Sequence, residues 1–571
     1  MYRRSSKSSP LDLFSSVSSL LKGKSLKGYE DSQKWHNLFR DQVTNRIDED
    51  IFRPLFDKNF GAPNASIRIL IAMMIMKEAR GWSDSQLFEE CTYNLLVRSA
   101  LGLFNVNDSI PAPSTYYLLR SNIVTHENKT YENLIEKSFA QVTKSQAIEF
   151  KINGNKIRMD SKLMGSNIAW YSRYELIHET LRRAYLSAKP QIDRLLNEAE
   201  LNLLKCISGE SGDKVSYRST RTEIETKLSQ LGQVIYLIIN GIKDVSSEPL
   251  ETLHCVFNEQ YQVVQDAVSV RPKQEISAAS IQSPHDTDCQ YRQKDEQQVK
   301  GYSVNVTETC DPNDILNLVT NVLVDTAGAA DCDFLQTAIE VTKGIVSGTI
   351  ETANADGAYH SPENQDYCKE NEIDLVLSAI QGKASRYDLT MDETGDLIVT
   401  DIKTNMIVPS RKVESHKKDA NPKWAILNEK NQYRYFTQKD IDTCLLRKQL
   451  AIRTPEELNL RNNVEATIFQ LGYHYPNAKS RYRGLIKHKM WANLRCFWIN
   501  FVRIANFVSV NSPNYAQKSA NNWILPRLCT LNVKIELTLS RLLHFITKWS
   551  YDIFIFFGYQ KKSSRIYLKY S

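Results

Sequence analysis

The hydrophobic and polar positions change period several times along the 571 residues. Between 30 and 130 the spacing is helical. "SIRILIAMMIMKEARGW" predicts a helix with Ser66 as N-cap, a strongly apolar body and Gly81 as its stop. "SDSQLFEECTYNLLVRSALGL" opens on a capping-box pattern, Ser83 to Gln86. "PAPSTYYLLRSNIV" follows a proline-rich break, with Ser114 or Thr115 as cap. Three short helices in this order allow a helix-turn-helix, although most short helical bundles do not bind DNA.

The period then shortens. "EFKING" and "KIRMD" predict a hairpin about Asn153-Gly154 whose second strand ends on Asp160. Residues 171–270 return to helical spacing, broken at Pro190 and over 208–217. This block interrupts the strands on either side and reads as an inserted helical arm. Its periodicity means packing and by itself nothing more. Strands resume with "VKGYSVNVTET" (299–309), a helix follows near 333–345, and "GTIETANADGAY" predicts a strand ending on Asp356. "DLVLSAIQG" (374–382) is another strand, and residues 385–410 alternate about turns as a small β insertion. "PEELNLRNNVEATIFQL" (455–471) predicts one helix carrying Arg461 and Glu465. The order predicts an α/β fold with a mixed sheet and a helical insertion, preceded by an all-α domain.

Composition narrows the function classes. With 42% hydrophobic and 24% charged residues the chain can bury more than one core, which predicts two or three domains. Ten scattered cysteines contain no C-x-x-C pair, which argues against a zinc ribbon or a disulfide framework and for a reducing cytoplasm. The N-terminal 1–29 is basic and Ser-rich without an apolar core, so it reads as a solvated arm rather than a secretory signal. No uncharged run reaches the roughly 18 to 20 apolar residues of a membrane span. Residues 466–571 carry 16 Lys/Arg and 2 Asp/Glu, a net of +14 against −8 for the rest. A basic C-terminal lobe on an acidic body predicts a polyanionic partner, nucleic acid being the usual one.

Three acids stand where a fold can unite them. Asp160 and Asp356 are placed at strand ends, where a side chain leaves the sheet, and Glu465 on a helix that can cross it. Such a trio suits two Mg²⁺ or Mn²⁺ ions, because hard cations prefer oxygen ligands. Two ions about 4 Å apart activate the attacking oxygen and stabilise the leaving one in phosphoryl displacement. Taken singly, Asp356 before a glycine is a turn residue, Asp160 before Ser161 an N-cap, and Glu465 the i,i+4 partner of Arg461. The cations Lys479, Arg481, Arg483, Lys487, Lys489, Arg495 and Arg503, interleaved with Tyr482 and Trp491, read either as a solvated helix face or as phosphate contacts.

Five blocks in order carry a family resemblance. "MDSKLMGSNIAWYSRYELI" holds Asp160, Asn167 and Arg173; "SPHDTDCQYRQKDEQQVKGYSVNVT" holds Asp286, Asp288, Lys294, Gly301 and Tyr302. "ANADGAY", "RNNVEATIFQLG" and "RYRGLIKHKMWANLRCFWINFVRI" complete the series. Over roughly 30–505 the chain resembles DDE-type insertion-sequence transposases. It departs from them in having Leu458 and Gly472 where Tyr and Lys often flank the glutamate, and Lys162 where Thr often follows the first aspartate. The resemblance implies a helical DNA-binding-like domain over 30–140 and an RNase H-like catalytic domain over 145–505. Insertions interrupt that domain at about 171–280 and 385–410, and 506–571 is a basic tail of unknown role. It implies that Asp160, Asp356 and Glu465 bind Mg²⁺ or Mn²⁺ and are catalytic, cutting DNA at the element's ends and joining it to target DNA. Arg461, Arg481, Arg483, Lys487, Lys489 and Lys294 are the expected DNA contacts. The partner is double-stranded DNA, with a dimer or larger assembly on it and no membrane, in the cytoplasm at the nucleoid. A nuclease that does not join strands and a catalytically silent DNA-binding protein are the alternatives.

Overall fold

The computed structural model describes the chain from Met1 to Asn511 except residues 8, 13, 58–59, 243–246, 266, 295–296, 380–384, 393, 414–421 and 429–430; residues 512–571 lie outside the described part. It divides into two units, Met1–Ala505 and Asn506–Ser571. Most of the second, and with it most of the basic tail, falls outside the described residues.

The N-terminal helices begin where their caps predict. Helix α1 (Ile67–Arg80) starts at Ser66, whose hydroxyl accepts the Ile69 amide, and ends at Gly81 in the left-handed region, φ +65. Helix α2 (Asp84–Tyr93) carries both halves of the Ser83/Gln86 capping box. Helix α3 (Pro113–Thr130) has Ala112 rather than Ser114 or Thr115 as its cap, because Pro113 takes the first turn, where its missing N–H needs no partner. Helix α4 (Leu134–Glu149) runs into the segment expected to be the first strand of a hairpin. The Ile152 amide turns back to Ala147 O at 2.9 Å, and the Asp314 carboxylate accepts the Asn153 and Gly154 amides at 2.8 and 3.0 Å. Asn153-Gly154 is therefore a helix-to-strand turn, and the hairpin does not form. The basic arm is not free either. Val17 is fully buried, and the arm's backbone pairs with Gly102, Phe104 and Val106.

The part of the chain after α4 is built on a six-stranded mixed sheet. Its strands are β1 (Lys156–Gly165), β2 (Gln290–Lys294), β3 (Gln297–Thr309), β4 (Val319–Thr326), β5 (Thr352–Ala355) and β6 (Asp374–Leu377). The path runs β2-β3-β1-β5-β6, and β4 pairs with β3 as well. β3 is antiparallel to β1, β2 and β4, whereas β5 is parallel to β1 and to β6. Ile157, Met159, Ala353 and Ala355 form one face, packed on Leu335, Ala338 and Ile339 of helix α5 (Leu335–Lys343). Helix α6 (Pro362–Glu370) leads from β5 to β6. The expected helix over 455–471 is two: Pro455–Asn459, then a turn, then α7 (Val464–Gly472). The break follows from side-chain demand on the turn, since Arg158 Nη1 takes the Leu460 carbonyl at 2.9 Å. The long helix α8 (Leu485–Val510) follows.

Two insertions carry cores of their own. Between β1 and β2, six helices from Arg173 to Gln260 enclose a cluster that includes Leu181, Leu204, Leu231, Ile235 and Leu253. Between β6 and α7, two three-stranded antiparallel sheets pack Tyr387, Leu389, Val399, Trp424, Ile426 and Phe436 together. Their strands continue to Thr437, past the β segment expected at 385–410. Among the described residues no helix is long and apolar enough to cross a membrane.

The other sheet face holds a buried carboxylate. Glu308 on β3 is fully buried and opposite Arg158 in the register. Its oxygens accept from Arg158 Nε at 2.5 Å, Arg503 Nη2 at 2.5 Å and Thr467 Oγ1 at 2.7 Å. Burial pushes this carboxyl up, but Arg503 and Arg158 outweigh it and hold the group below the ordinary carboxylate range. One charge thus joins β1, β3, α7 and α8. Glu308→Gln leaves the buried Arg158 and the partly buried Arg503 without their anion and is expected to cost about 3 to 5 kcal/mol in denaturant unfolding. A depressed carboxyl pKa stabilises above its unfolded value of about 4.3 and loses that contribution as the pH falls through the folded value. The difference between wild type and Glu308→Gln should therefore narrow on acidification.

Candidate active site

Strand register brings two of the three predicted acids together. β1 and β5 run parallel with Arg158 opposite Asn354, so two residues further on Asp160 and Asp356 stand level. β5 stops at Ala355, which places Asp356 just past its end as predicted. Asp160 is not at a strand end: β1 continues to Gly165, paired with β3. The two carboxylates share a cation. Arg461, in the turn before α7, reaches Asp160 Oδ2 at 3.0 Å and Asp356 Oδ2 at 3.6 Å. The Asp160 side chain is 15% exposed and that of Asp356 36%. Burial raises the Asp160 pKa above the usual carboxylate range, with the Asp356 charge adding to it and Arg461 opposing both. The Ser161 amide donates to Asp160 Oδ1 at 2.9 Å, and the Ser161 hydroxyl donates to Asp331 at 2.8 Å.

The third acid stands apart. Glu465 lies in the first turn of α7, exposed, and among the described residues no three acidic, His or Cys side chains converge as a metal cluster. The two aspartates fit a divalent cation in their chemistry, since both are hard oxygen donors and they already divide one positive charge between them.

The basic run divides by function. Arg481 donates to Gly81 O at 2.9 Å and Trp82 O at 3.1 Å. Arg495 is buried and donates to Glu78 O at 2.7 Å, Ala79 O at 3.3 Å, Leu471 O at 3.1 Å and Gln470 O, so it serves the last carbonyls of α1 and α7 at once. Arg483 donates to Asn167 O and Lys479 to Ile168 O. Lys489 approaches the buried Glu127 at 3.9 Å. Lys487 and Lys294 are exposed. Lys294 lines an open cleft of about 1090 Å³ beside β1, together with Lys162, Arg292 and Asp331.

Several residues near the site escaped sequence reasoning. Glu308 had one visible signal, a lone acid in the otherwise uncharged strand "YSVNVTET". Asp331 had none, because it meets Ser161 only through the fold. Asp286 is a structural acid: it accepts from Ser166, from Tyr302 and from the Gly484 amide at 2.9 Å, while Asp288 accepts from Leu485, both at the start of α8. His488 is buried against Tyr302, with ring centroids 4.2 Å apart, and burial lowers its pKa to about 4.

The site and fold define an α/β protein with a paired-aspartate centre and an N-terminal helical region. Residues 28–122 of that region match the family described as Transposase domain (DUF772), which supports a DNA transposase. No curated protein matches the chain. A solved structure, "Cryo-EM structure of piggyBac transposase synaptic complex with hairpin DNA (SNHP)", aligns over 90% of this chain and 86% of that one, at 8% identity and a TM-score of 0.27.

Arg461 already contacts both carboxylates, so a divalent ion bound there would have to compete with it. Arg461→Ala should therefore enlarge the rise in melting temperature produced by Mn²⁺ relative to wild type, as read by a thermal-shift titration.

Proposed function

We propose that the chain is a DDE-type DNA transposase that cuts the ends of its own element and joins them to target DNA. The carrying observation is the register that sets Asp160 and Asp356 level where the parallel pairing of β1 and β5 stops, with one cation between them. The strand path supports an RNase H-like reading: three antiparallel strands led by β1, followed by two strands parallel to it. The match of residues 28–122 to a transposase domain supports the same conclusion from a separate part of the chain.

In this reading Asp160 and Asp356, with Glu465 brought toward them, would hold Mg²⁺ or Mn²⁺, which would supply charge for activating water and for stabilising the leaving oxygen. The remaining work belongs to this chain's own groups. The Ser161 amide fixes one Asp160 oxygen, and the Arg158–Glu308–Arg503 cluster holds the turn that presents Arg461. Arg461 offsets the repulsion of the two carboxylates before ions or phosphate arrive. Lys294 and Lys487 face solvent and are the cations of the predicted set most open to phosphate. DNA positioning and electrostatic stabilisation supply the rest of the rate.

The contact of Arg461 with both aspartates also favours a second reading, a catalytically silent DNA-binding protein in which the guanidinium replaces the metal. One experiment separates them. Purified protein is incubated with duplex DNA carrying the gene's flanking ends and Mg²⁺ or Mn²⁺, beside Asp356→Asn. The transposase reading expects end cleavage and strand joining that fall about a hundredfold or more in the variant while DNA binding persists. Binding without cleavage in both proteins refutes it. Cleavage without joining would identify a nuclease.

A further inference from the structure

Lys162, on the strand that carries Asp160, is a cation that the site described above leaves without a task. It lies two residues after Asp160 on β1, so the alternation of a strand puts both side chains on one face with Arg158. It is half-buried, and among the described residues its side chain makes no hydrogen bond or ion pair. Arg158, Arg292 and Arg461 all have partners in the protein, Arg292 through the Ala327 and Ala329 carbonyls. A partly buried ammonium with no partner is costly, and such groups are normally satisfied by something.

Its surroundings say what. A Cβ built on Gly472 would lie 3.0 Å from Lys162 Nζ and 3.8 Å from its Cε. The missing side chain at position 472 is what lets the ammonium stand there. Gly472 closes α7, and it follows Glu465 by seven residues, two helical turns, so both belong to the same helix face. Lys162 also lines the open cleft of about 1090 Å³ shared with the exposed Lys294. The Lys162 side chain thus leaves the strand face that carries Asp160, ends beside Gly472 at the close of α7, and opens on a basic cleft.

We propose that Lys162 binds the phosphodiester of the DNA strand that reacts at Asp160 and Asp356. The inference rests on the transposase reading above and adds a residue to it. A compact ammonium with three free donors suits a phosphate oxygen as a point contact. Because the ammonium stands 3.0 Å from where a Cβ on residue 472 would lie, a lysine at 472 starts within reach of the same phosphate from the other wall. That exchange is the test of position against mere packing.

Wild type, Lys162→Thr, Lys162→Thr/Gly472→Lys and Lys162→Arg are compared as full chains on duplex DNA carrying the gene's flanking ends. Cleavage is followed in Mg²⁺, and affinity is measured in Ca²⁺ over a salt series. The expected result is cleavage about 10- to 100-fold slower in Lys162→Thr with an unchanged melting temperature, as for loss of one donor to a reacting phosphate. The slope of log affinity against log salt should become shallower by about 0.9, the value of one phosphate contact. Most of both losses should be recovered in the exchange variant, and part in Lys162→Arg. Wild-type cleavage by Lys162→Thr overturns the proposal and leaves the transposase reading standing. Slower cleavage with an unchanged salt slope marks a packing lysine and overturns it too. If wild type itself does not cut, the transposase reading fails, and the salt slope alone decides whether Lys162 contacts phosphate.

Discussion

A fully buried carboxylate between two arginines sets the terms for this fold. Glu308 cannot be solvated, so Arg158 from β1 and Arg503 from α8 must both reach it, and Thr467 from α7 fills its remaining acceptor position. These partners fix where α7 crosses the sheet. Arg158 uses a second nitrogen on the Leu460 carbonyl, which ends the preceding helix and turns Arg461 toward the aspartates. The site is therefore shaped from beneath, by a charge cluster that itself touches no substrate.

The same logic accounts for the basic C-terminal segment. A net charge of +14 over 466–571 reads as a nucleic-acid face, yet several of its arginines are spent inside the protein. Arg481 and Arg495 bind helix-end carbonyls, Arg483 and Lys479 bind the loop after β1, and Arg503 binds Glu308. Glu78, buried on α1, is meanwhile met by the hydroxyls of Tyr475 and Tyr482. Clustered positive charge on one stretch of chain serves cohesion of the helical and sheet regions as well as outward electrostatics.

What could be read from sequence follows from the range of each interaction. Ser66, Gly81 and the Ser83/Gln86 box act within four residues, so α1 and α2 were visible in their own letters. Asp356 past a short strand was visible for the same reason. The hairpin about Asn153-Gly154 was misread because a type of turn signal that closes hairpins equally closes a helix, and Asp314, far along the chain, decides which. The break before Val464 was hidden because it is imposed by Arg158. The apolar run of β4, between Asp311-Pro312-Asn313-Asp314 and Gly328, fits a buried strand or a short helix equally by periodicity alone. The level placement of Asp160 with Asp356, and the place of Lys162 beside Gly472, exist only in the register and the helix crossing.

Arg495 has a consequence for how the molecule can vary. Its guanidinium spreads donors over four carbonyls at the ends of two helices, one in the N-terminal helical region and one carrying Glu465. A planar fork can do this, and an ammonium with three donors cannot. The aim of the helical region relative to the acidic helix is thereby set at a single residue. A lysine at position 495 would leave carbonyls of one helix end or the other without a donor.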